Sequence, residues 1–595
     1  MEIGIWKFIH ESMMMTGGEI LLKTLVDVEV SVMWGMPGGV VLPLYDHFVK
    51  YPQLKHILIR HEQGGAFAAD GYARVTGKVG VCLGTSGPGS TNLVTGIAGA
   101  YMDSIPLLAI TGQVASPLIG SDAFQEVDSI GITVPIVKHS FLIQSAEEVA
   151  DIITTAYYLA GSGRPGPVHV DVTKDALMKR IEYRAGRVMD LPGYHVPHMD
   201  TAEVRTAVQQ METLLEKPDT RPIILAGHGV ELGGAEHELL AFAEKAQLPV
   251  ANTLLGTGVF PLDHPLYLGS VGMHGTALAN KTLAESNLVI GIGMRWDDRV
   301  TGALDSFTRG RQFVHFEIDP SEVCKIITPA AAFVGNVKDT LAAVVPQLKA
   351  REWPEWWRMI EEWKSAWPPF ALPVPQEEHK PISQAWALSV LSEVTQGEDI
   401  VTSDVGRHQM WVMRYYRFRH SRSHVSHGGL GAMGFGVPAA MGAKFGAPQR
   451  RVWAISGDGS FQMNIQELAT IAESRVEIKI VLMNDGSLGM VRQWQELFYG
   501  SNLSASTFSG NPDFVKVAEA YRIPARRVTK PSALRGALEW AIATPGPVLV
   551  EVEVDQHEHV YPMVPAGKGV HEQIISDPRK NAGIAAPELY AATSD

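Results

Sequence analysis

The chain has 595 residues, more than one hydrophobic core holds, and domains of the usual ~100–200 residues divide it into about three or four. With 46% hydrophobic and 19% charged residues it has the composition of a globular protein, which excludes the disordered and fibrous classes. Its 50 basic and 64 acidic residues leave a net charge of −14, which repels phosphodiester backbones and anionic lipid surfaces, so neither nucleic acid nor membrane is expected as a partner.

In chain order, the start MEIGIWKFIHES lacks the basic head and cleavage site of a signal peptide, and no apolar run reaches the ~18–20 residues of a membrane span. Cys82 and Cys324 lie in apolar segments outside any CxxC or Cys/His cluster, which fits a reducing cytoplasm. The strand-like run HILIR leads into His61-Glu62-Gln63-Gly64-Gly65 and a small-residue helix, AFAADGYARV. Read alone, Glu62 is an acid favoured by the amino-terminal helix dipole. VGVCLG and PLLAITG are the next buried strands, and a linker with Pro192 and Pro197 spans 187–200.

A second block carries the strands PIILAG and NLVIGIG. Between them, Gly227-His228-Gly229-Val230-Glu231-Leu232-Gly233 is a glycine turn opening a helix, as dinucleotide sites do, although it is not GxGxxG. A linker at 366–383 with five prolines precedes the third block, whose strands are RVWAIS and IKIVLM. The alternation predicts an α/β protein with three doubly wound parallel-sheet domains at 12–186, 200–350 and 380–560, then a tail at 561–595. The first and third blocks resemble each other: Ser86-Gly87-Pro88-Gly89-Ser90 matches Ser456-Gly457-Asp458-Gly459-Ser460, each between a buried strand and a helix. A duplication of this kind supplies two like domains that face each other across a ligand.

In the third block RVWAIS ends in Gly457-Asp458-Gly459-Ser460, and IKIVLM ends in Asn484-Asp485-Gly486-Ser487. Glycines at a strand's carboxyl end let the backbone approach a ligand. A carboxylate there repels phosphate unless a cation lies between, and Mg2+ takes one or two carboxylates together with waters and phosphates. Two neighbouring strand ends thus meet the needs of Mg2+.

This pair of motifs resembles the GDG and Asn-Asn signature of thiamine-diphosphate enzymes. GMPGGVVLPLYD, RHEQGGAFAADGYARVTGKVG, TSGPGSTN, AYMDSIP, DAFQEVD, RPGPVHVDVTKD, LGMVRQWQELFY and HVYPMVPAG are similar to catalytic subunits of the acetohydroxyacid synthase (acetolactate synthase) family, from about Gly17 to Gly567. The resemblance implies three domains of the thiamine-diphosphate-enzyme type, with thiamine diphosphate, Mg2+ and FAD as cofactors. It implies decarboxylation of pyruvate and transfer of the two-carbon unit to a second pyruvate or to 2-oxobutanoate, within branched-chain amino acid biosynthesis. It also implies a homodimer or tetramer with sites at the subunit interface, because the coenzyme lies between the first domain of one subunit and the third of another. A small regulatory subunit is a further implied partner.

Residue by residue, Glu62 takes the role of the acid that hydrogen-bonds the aminopyrimidine and promotes C2 deprotonation. Gly38, Pro88, Gly406, Arg407, His408, Gly431, Met433, Gly457, Asp458, Gly459 and Ser460 fall on coenzyme-binding positions, Met433 propping the bent coenzyme. Asp458, Asp485 (27 residues on) and the carbonyl of Ser487 fall on the register that holds the metal against the diphosphate, with Asn484 in place of Asp485 if the loop shifts by one residue. Gln113, Phe124, Gln125 and Lys174 match other active-site positions. Met490, Val491 and Trp494 match the acceptor pocket, and Arg295 the arginine that orients the acceptor acid. Arg164, Gly227, His274, Gly275, Arg295, Asp297 and Glu317 match FAD-binding segments, a structural FAD since carboligation has no net redox step.

Three departures stand out: Met36 where Tyr is usual at the pocket mouth, Asp485 where Asn is usual, and Arg407 where Gln is usual. The last two place an extra anion and an extra cation near the diphosphate, where one offsets the other. The rival readings are another FAD-containing thiamine-diphosphate enzyme, such as a pyruvate oxidase, and a catalytically silent assembly subunit. Oxygen consumption marks the former, and the presence of Glu62 and Asp458 speaks against the latter.

Overall fold

Every apolar run named above forms a strand: Lys55–Leu58, Gly80–Gly84, Leu107–Gln113, Pro222–Ala226, Leu288–Ile292, Val452–Gly457 and Lys479–Asn484. They belong to three six-stranded parallel sheets in a computed structural model that describes residues 13–370 and 375–578. The chain start through Ser12, residues 371–374 of the second linker and 579–595 of the expected tail lie outside the described residues. Strands covered by helices on both faces need no alternation of apolar and polar residues. Accordingly Gly80–Gly84 and Leu107–Gln113 are buried at every position.

In the first sheet the strands Val32–Gly35, Lys55–Leu58, Gly80–Gly84, Leu107–Gln113, His139–Ile143 and Pro167–Thr173 lie in the order 2-1-3-4-6-5. The third sheet, built from Ile400–Ser403, His424–Ser426, Val452–Gly457, Lys479–Asn484, Ala525–Val528 and Val548–Glu553, has the same order. The internal likeness read in the sequence therefore extends to topology. The middle sheet runs through Pro222–Ala226, Val250–Asn252, Tyr267–Ser270, Leu288–Ile292, Gln312–Glu317 and Ala331–Val334 in the order 3-2-1-4-5-6, the winding of dinucleotide folds.

Small residues set the layer spacing in the first sheet's domain. Helix Glu62–Thr76 carries Ala66, Ala68 and Ala69 fully buried, and a Cβ on Gly80 would lie 2.1 Å from the Ala69 carbonyl. The chain divides into two compact units at Tyr194, with Arg74–Gly77 counted with the second, so the middle and third sheets share one unit. Part of the expected tail belongs to that unit. Val564 N–H donates to Met273 O (2.7 Å) and Ala303 N–H to Lys568 O (3.0 Å). This stretch is thereby docked on the middle domain by backbone pairing. Among the described residues no helix is long and apolar enough to cross a membrane. Cys82 is buried, whereas Cys324 is exposed, in a turn with positive φ.

Candidate active site

Ligands of open α/β sheets sit at the strands' carboxyl ends, and in the third sheet three adjacent strands end in Ser403, Gly457 and Asn484. Asp404, just past the first, is 1% exposed and is the organiser that sequence reading missed. Its carboxylate accepts from Val405 N (2.9 Å), Gly434 N (2.9 Å), Gly436 N (3.0 Å) and Ser456 Oγ (3.1 Å). It therefore fixes the turn of Gly431, Met433 and Gly434 against the strand end at Gly457. The signal available in the sequence was a lone Asp after a buried run, which is too common to stand out. Gly431 and Gly434 have φ of 69° and 87°, values that favour glycine.

Gly406 (φ 151°) precedes helix Arg407–Tyr415 and has no room for a Cβ beside the His408 ring. His408 is buried, and burial pushes its pKa down to about 4. Gly457 N–H donates to His408 Nε2 (3.3 Å), so the ring is neutral and carries its proton on Nδ1, toward the Asp404 carbonyl. Ser460 Oγ donates to Val405 O (3.0 Å). A Cβ on Gly459 would press on the Leu488 side chain at 2.9 Å.

Asp458 is 1% exposed, and burial, then the charge of Asp485, push its carboxyl up to about 7. Asn511 Nδ2 donates to Asp458 Oδ2 (2.6 Å) and to Asn484 Oδ1 (3.2 Å), while Asn484 Nδ2 donates to Glu551 (2.8 Å). Asp485 accepts from Ser487 N (2.9 Å) and Oγ (2.7 Å) on one oxygen and from Arg407 Nη2 (2.6 Å) on the other. The expected offset of charge is thus a direct buried ion pair. A buried carboxyl whose proton affinity is raised by burial and by the charge of a second carboxylate beside it fits a divalent cation. Among the described residues no group of three or more His, Cys, Asp or Glu gathers, so backbone, phosphate and water oxygens would complete the set, as Mg2+ prefers.

Helix Gly489–Phe498 leaves this end with its amphipathicity inverted. Arg492, Gln493 and Glu496 are buried together with Leu497, whereas Met490 and Trp494 are half-buried and Val491 is 49% exposed. The buried face is satisfied: Arg492 pairs with Glu496 (2.8 Å), His559 Nε2 meets Glu496 (2.8 Å), and Val560 N–H donates to Gln493 Oε1 (2.8 Å). Met490, Val491 and Trp494, with Gln495, Tyr499 and Asn502, line a cavity of about 820 Å³. Val491 and Trp494, with Met490, which also packs on the third domain's core, suit a ligand wall.

In the first unit Glu62 begins its helix, 3% exposed, and its Oε2 accepts from Asn92 Nδ2 (2.9 Å). Around it Thr85 Oγ1 and Ser86 Oγ are buried without partners, and a Cβ on Gly38 would lie 2.5 Å from Thr85. Unpaired hydroxyls in a cradle this tight fit a polar, flat ring such as an aminopyrimidine. Pro88 opens a short helix after Gly87, and the backbone of Gln125 (φ 61°) packs on Gly87. Phe124 stands 88% exposed and is not brought into this cradle. Lys174 is half-buried at a helix start, and Arg164 Nε donates to Ser104 Oγ (2.9 Å).

Gln113 is locked: its Nε2 donates to Val127 O (2.8 Å) and to Asp171 Oδ2 (3.0 Å). Thr111 Oγ1 donates to the other oxygen of Asp171 (2.6 Å). Burial pushes Asp171 up to about 7 from an ordinary 3.8, so the folded state holds a proton that the unfolded chain releases. Its contribution to stability is therefore present below about pH 4 and lost as pH rises through about 7. Relative to Asp171→Asn, the parent's Tm is expected to fall across that window, read by scanning calorimetry at stepped pH.

In the middle sheet the FAD candidates other than Arg164 collect at the carboxyl edge. Gly227 follows the first strand, where a Cβ would meet Gly293 O at 2.3 Å, and Gly275 similarly abuts Ser270 O at 2.5 Å. Arg295 lies 3.7 Å from Asp297, which caps helix Asp298–Thr301. Glu317 ends the fifth strand and accepts from Ile318 N (2.9 Å) and Asp319 N (3.1 Å). His274 is buried, pushed down to about 3 by burial, and its Nδ1 has no partner. A buried unpaired nitrogen on a dinucleotide-type edge fits a flavin dinucleotide.

Family models of thiamine pyrophosphate (thiamine diphosphate) enzymes match three stretches: the N-terminal TPP binding domain at 15–132, the central domain at 208–344 and the C-terminal TPP binding domain at 404–552. The chain is 42% identical over 561 residues to the acetolactate synthase large subunit of Lactococcus lactis, covering 94% of this chain and 96% of that protein. It is also 42% identical to the probable acetolactate synthase large subunit of Methanocaldococcus jannaschii, over 97% of this chain and 98% of that one. The identity to the large subunit of Cyanidium caldarium is again 42%, over 94% and 96%. With near-complete coverage on both sides, and with the motifs standing at the strand ends described above, the chain belongs to the acetolactate synthase large-subunit family of thiamine pyrophosphate enzymes.

Proposed function

We propose that this chain is a catalytic acetolactate synthase, joining the two-carbon part of pyruvate to a second pyruvate, giving 2-acetolactate, or to 2-oxobutanoate, giving 2-aceto-2-hydroxybutanoate. The observation that carries it is the inverted helix Gly489–Phe498, which sets an apolar wall beside the two-carboxylate end of the sheet. Thiamine diphosphate, when bound, supplies the electron sink for loss of CO2.

The chain's own residues supply geometry and proton management. Asp458, Asp485 and the Ser487 carbonyl would hold Mg2+ against the diphosphate, with the glycines at 457 and 459 admitting the backbone closely. Glu62, kept in place by Asn92, would exchange a proton with the aminopyrimidine. Met433 would prop the coenzyme's bend, and the neutral His408 keeps the diphosphate end free of an added charge. Arg295 offers a fork of donors to the acceptor carboxylate. The candidates at the middle sheet's edge would hold FAD as a structural group.

Trp494 sets the choice of acceptor. One methylene against an apolar wall is worth roughly 1–3 kcal/mol, so Trp494→Leu is expected to shift product ratio toward 2-acetolactate by about 10-fold or more in a pyruvate/2-oxobutanoate competition. The subunit should act as a homodimer or tetramer, with a small regulatory subunit as a further partner, and its free thiols suit a reducing cytoplasm. The test is that competition assay with thiamine diphosphate, Mg2+ and FAD each added or omitted. Both acetohydroxy acids are expected. Absence of both under complete conditions overturns the reading, and oxygen consumption with pyruvate would point to an oxidase instead.

A further inference from the structure

We propose that Arg407 is a positioning residue that couples the metal-holding loop to the acceptor-pocket helix, with Asp485 as its counter-charge. The proposal rests on the functional reading above and concerns a linkage within the third domain.

Arg407 is 2% exposed, and its guanidinium touches three separate pieces of chain. Nη2 donates to Asp485 Oδ2 at 2.6 Å, on the metal loop. Nη1 donates to the carbonyls of Gln556 (3.1 Å) and Glu558 (2.9 Å). The third piece is the start of the acceptor-pocket helix, where a Cβ on Gly489 would lie 2.3 Å from Arg407 Nε. Only a glycine leaves room for the guanidinium there.

The segment that Arg407 grips also clasps the same helix from its buried side. Gln556 Oε1 accepts from Arg492 Nη1 (2.6 Å), His557 Nδ1 lies 3.2 Å from Arg492 Nη2, and His559 and Val560 bond Glu496 and Gln493. Met490, Val491 and Trp494 are carried on the opposite face of that helix. A displacement of Asp485 is therefore felt at Gly489 directly and at Arg492 through residues 556–558.

A glutamine at 407 would serve this geometry poorly. Its amide has two donors on a shorter stem, against the five-donor planar fork of arginine, so it cannot span Asp485 and both carbonyls. The arginine in turn requires an anion, since a buried guanidinium without a counter-charge is strongly destabilising. The exchanged pair is then one unit with two separable properties: zero net charge, which a neutral amide pair reproduces, and mechanical span, which it does not.

That separation is testable on the full-length protein. Thiamine diphosphate affinity, with Mg2+ present, is read from tryptophan fluorescence, and the order of residues 489–498 from hydrogen–deuterium exchange with and without both cofactors. In the parent, cofactor addition is expected to slow exchange in 489–498 by about tenfold. Arg407→Gln, which strands the Asp485 charge beside the diphosphate, is expected to weaken thiamine diphosphate by about tenfold. In the double variant R407Q/D485N affinity should return to within about threefold of the parent, while 489–498 becomes insensitive to the cofactors.

Should the single variant fail to fold, the double variant, which buries no charge, carries the test. Cofactor-dependent protection that persists in the double variant overturns the coupling, and parent-like affinity in Arg407→Gln overturns the counter-charge role. Failure of the parent to bind thiamine diphosphate at all would instead remove the functional reading on which the proposal stands.

Discussion

Glu62→Gln is expected to slow proton exchange at C2 of bound thiamine diphosphate by about 10²–10⁴-fold, the usual worth of a positioned general acid or base. The substitution is nearly isosteric, and the new amide oxygen still accepts from Asn92, so the cradle formed by Thr85, Ser86 and Gly38 keeps its shape. What is lost is the ability to give and take a proton. Thermal midpoint and coenzyme affinity should therefore stay near the parent's while exchange, followed by NMR after rapid quenching, collapses. Exchange at the parental rate would take Glu62 out of its assigned role.

The second large effect is at Asp458. Asp458→Ala is expected to weaken Mg2+-dependent thiamine diphosphate binding by more than the roughly 10–100-fold that loss of a supporting, non-ligating partner costs a metal site. The cofactor-free protein should respond with the opposite sign, because the variant removes a desolvated carboxyl standing near the charge of Asp485. A functional group maintained at the expense of stability gives this pattern. Differential scanning fluorimetry reads both arms: a higher or unchanged Tm without cofactors, and little further rise when they are added. A cofactor-induced rise equal to the parent's would exclude Asp458 from the metal site.

The sheets were legible because buried parallel strands are short uniform apolar runs, and because glycine at their carboxyl ends has few reasons to occur other than close approach. GDGS and NDGS therefore marked adjacent strand ends before any contact was known. Asp404 and Asp171 were not legible. Each does its work by accepting hydrogen bonds from residues tens of positions away, and a single acid after an apolar run carries no trace of those donors. Asn511 is a similar case, reaching Asp458 from 53 residues downstream. The tail's pairing with Met273 was not legible for a related reason: it is made by backbone, which leaves no side-chain pattern.

The inverted helix Gly489–Phe498 has a consequence for how this subunit changes over time. Side chains that hold a fold together are costly to alter, because each loss leaves a cavity or an unpaired polar atom behind. Here the adhesive groups are Arg492, Gln493, Glu496 and Leu497, on one side, and the groups that would meet substrate are Met490, Val491 and Trp494, on the other. Selection on acceptor choice can act on the second set while the first is left alone. Substrate range and folding are thus inherited largely on separate faces of a single ten-residue element, with Met490 the residue that touches both.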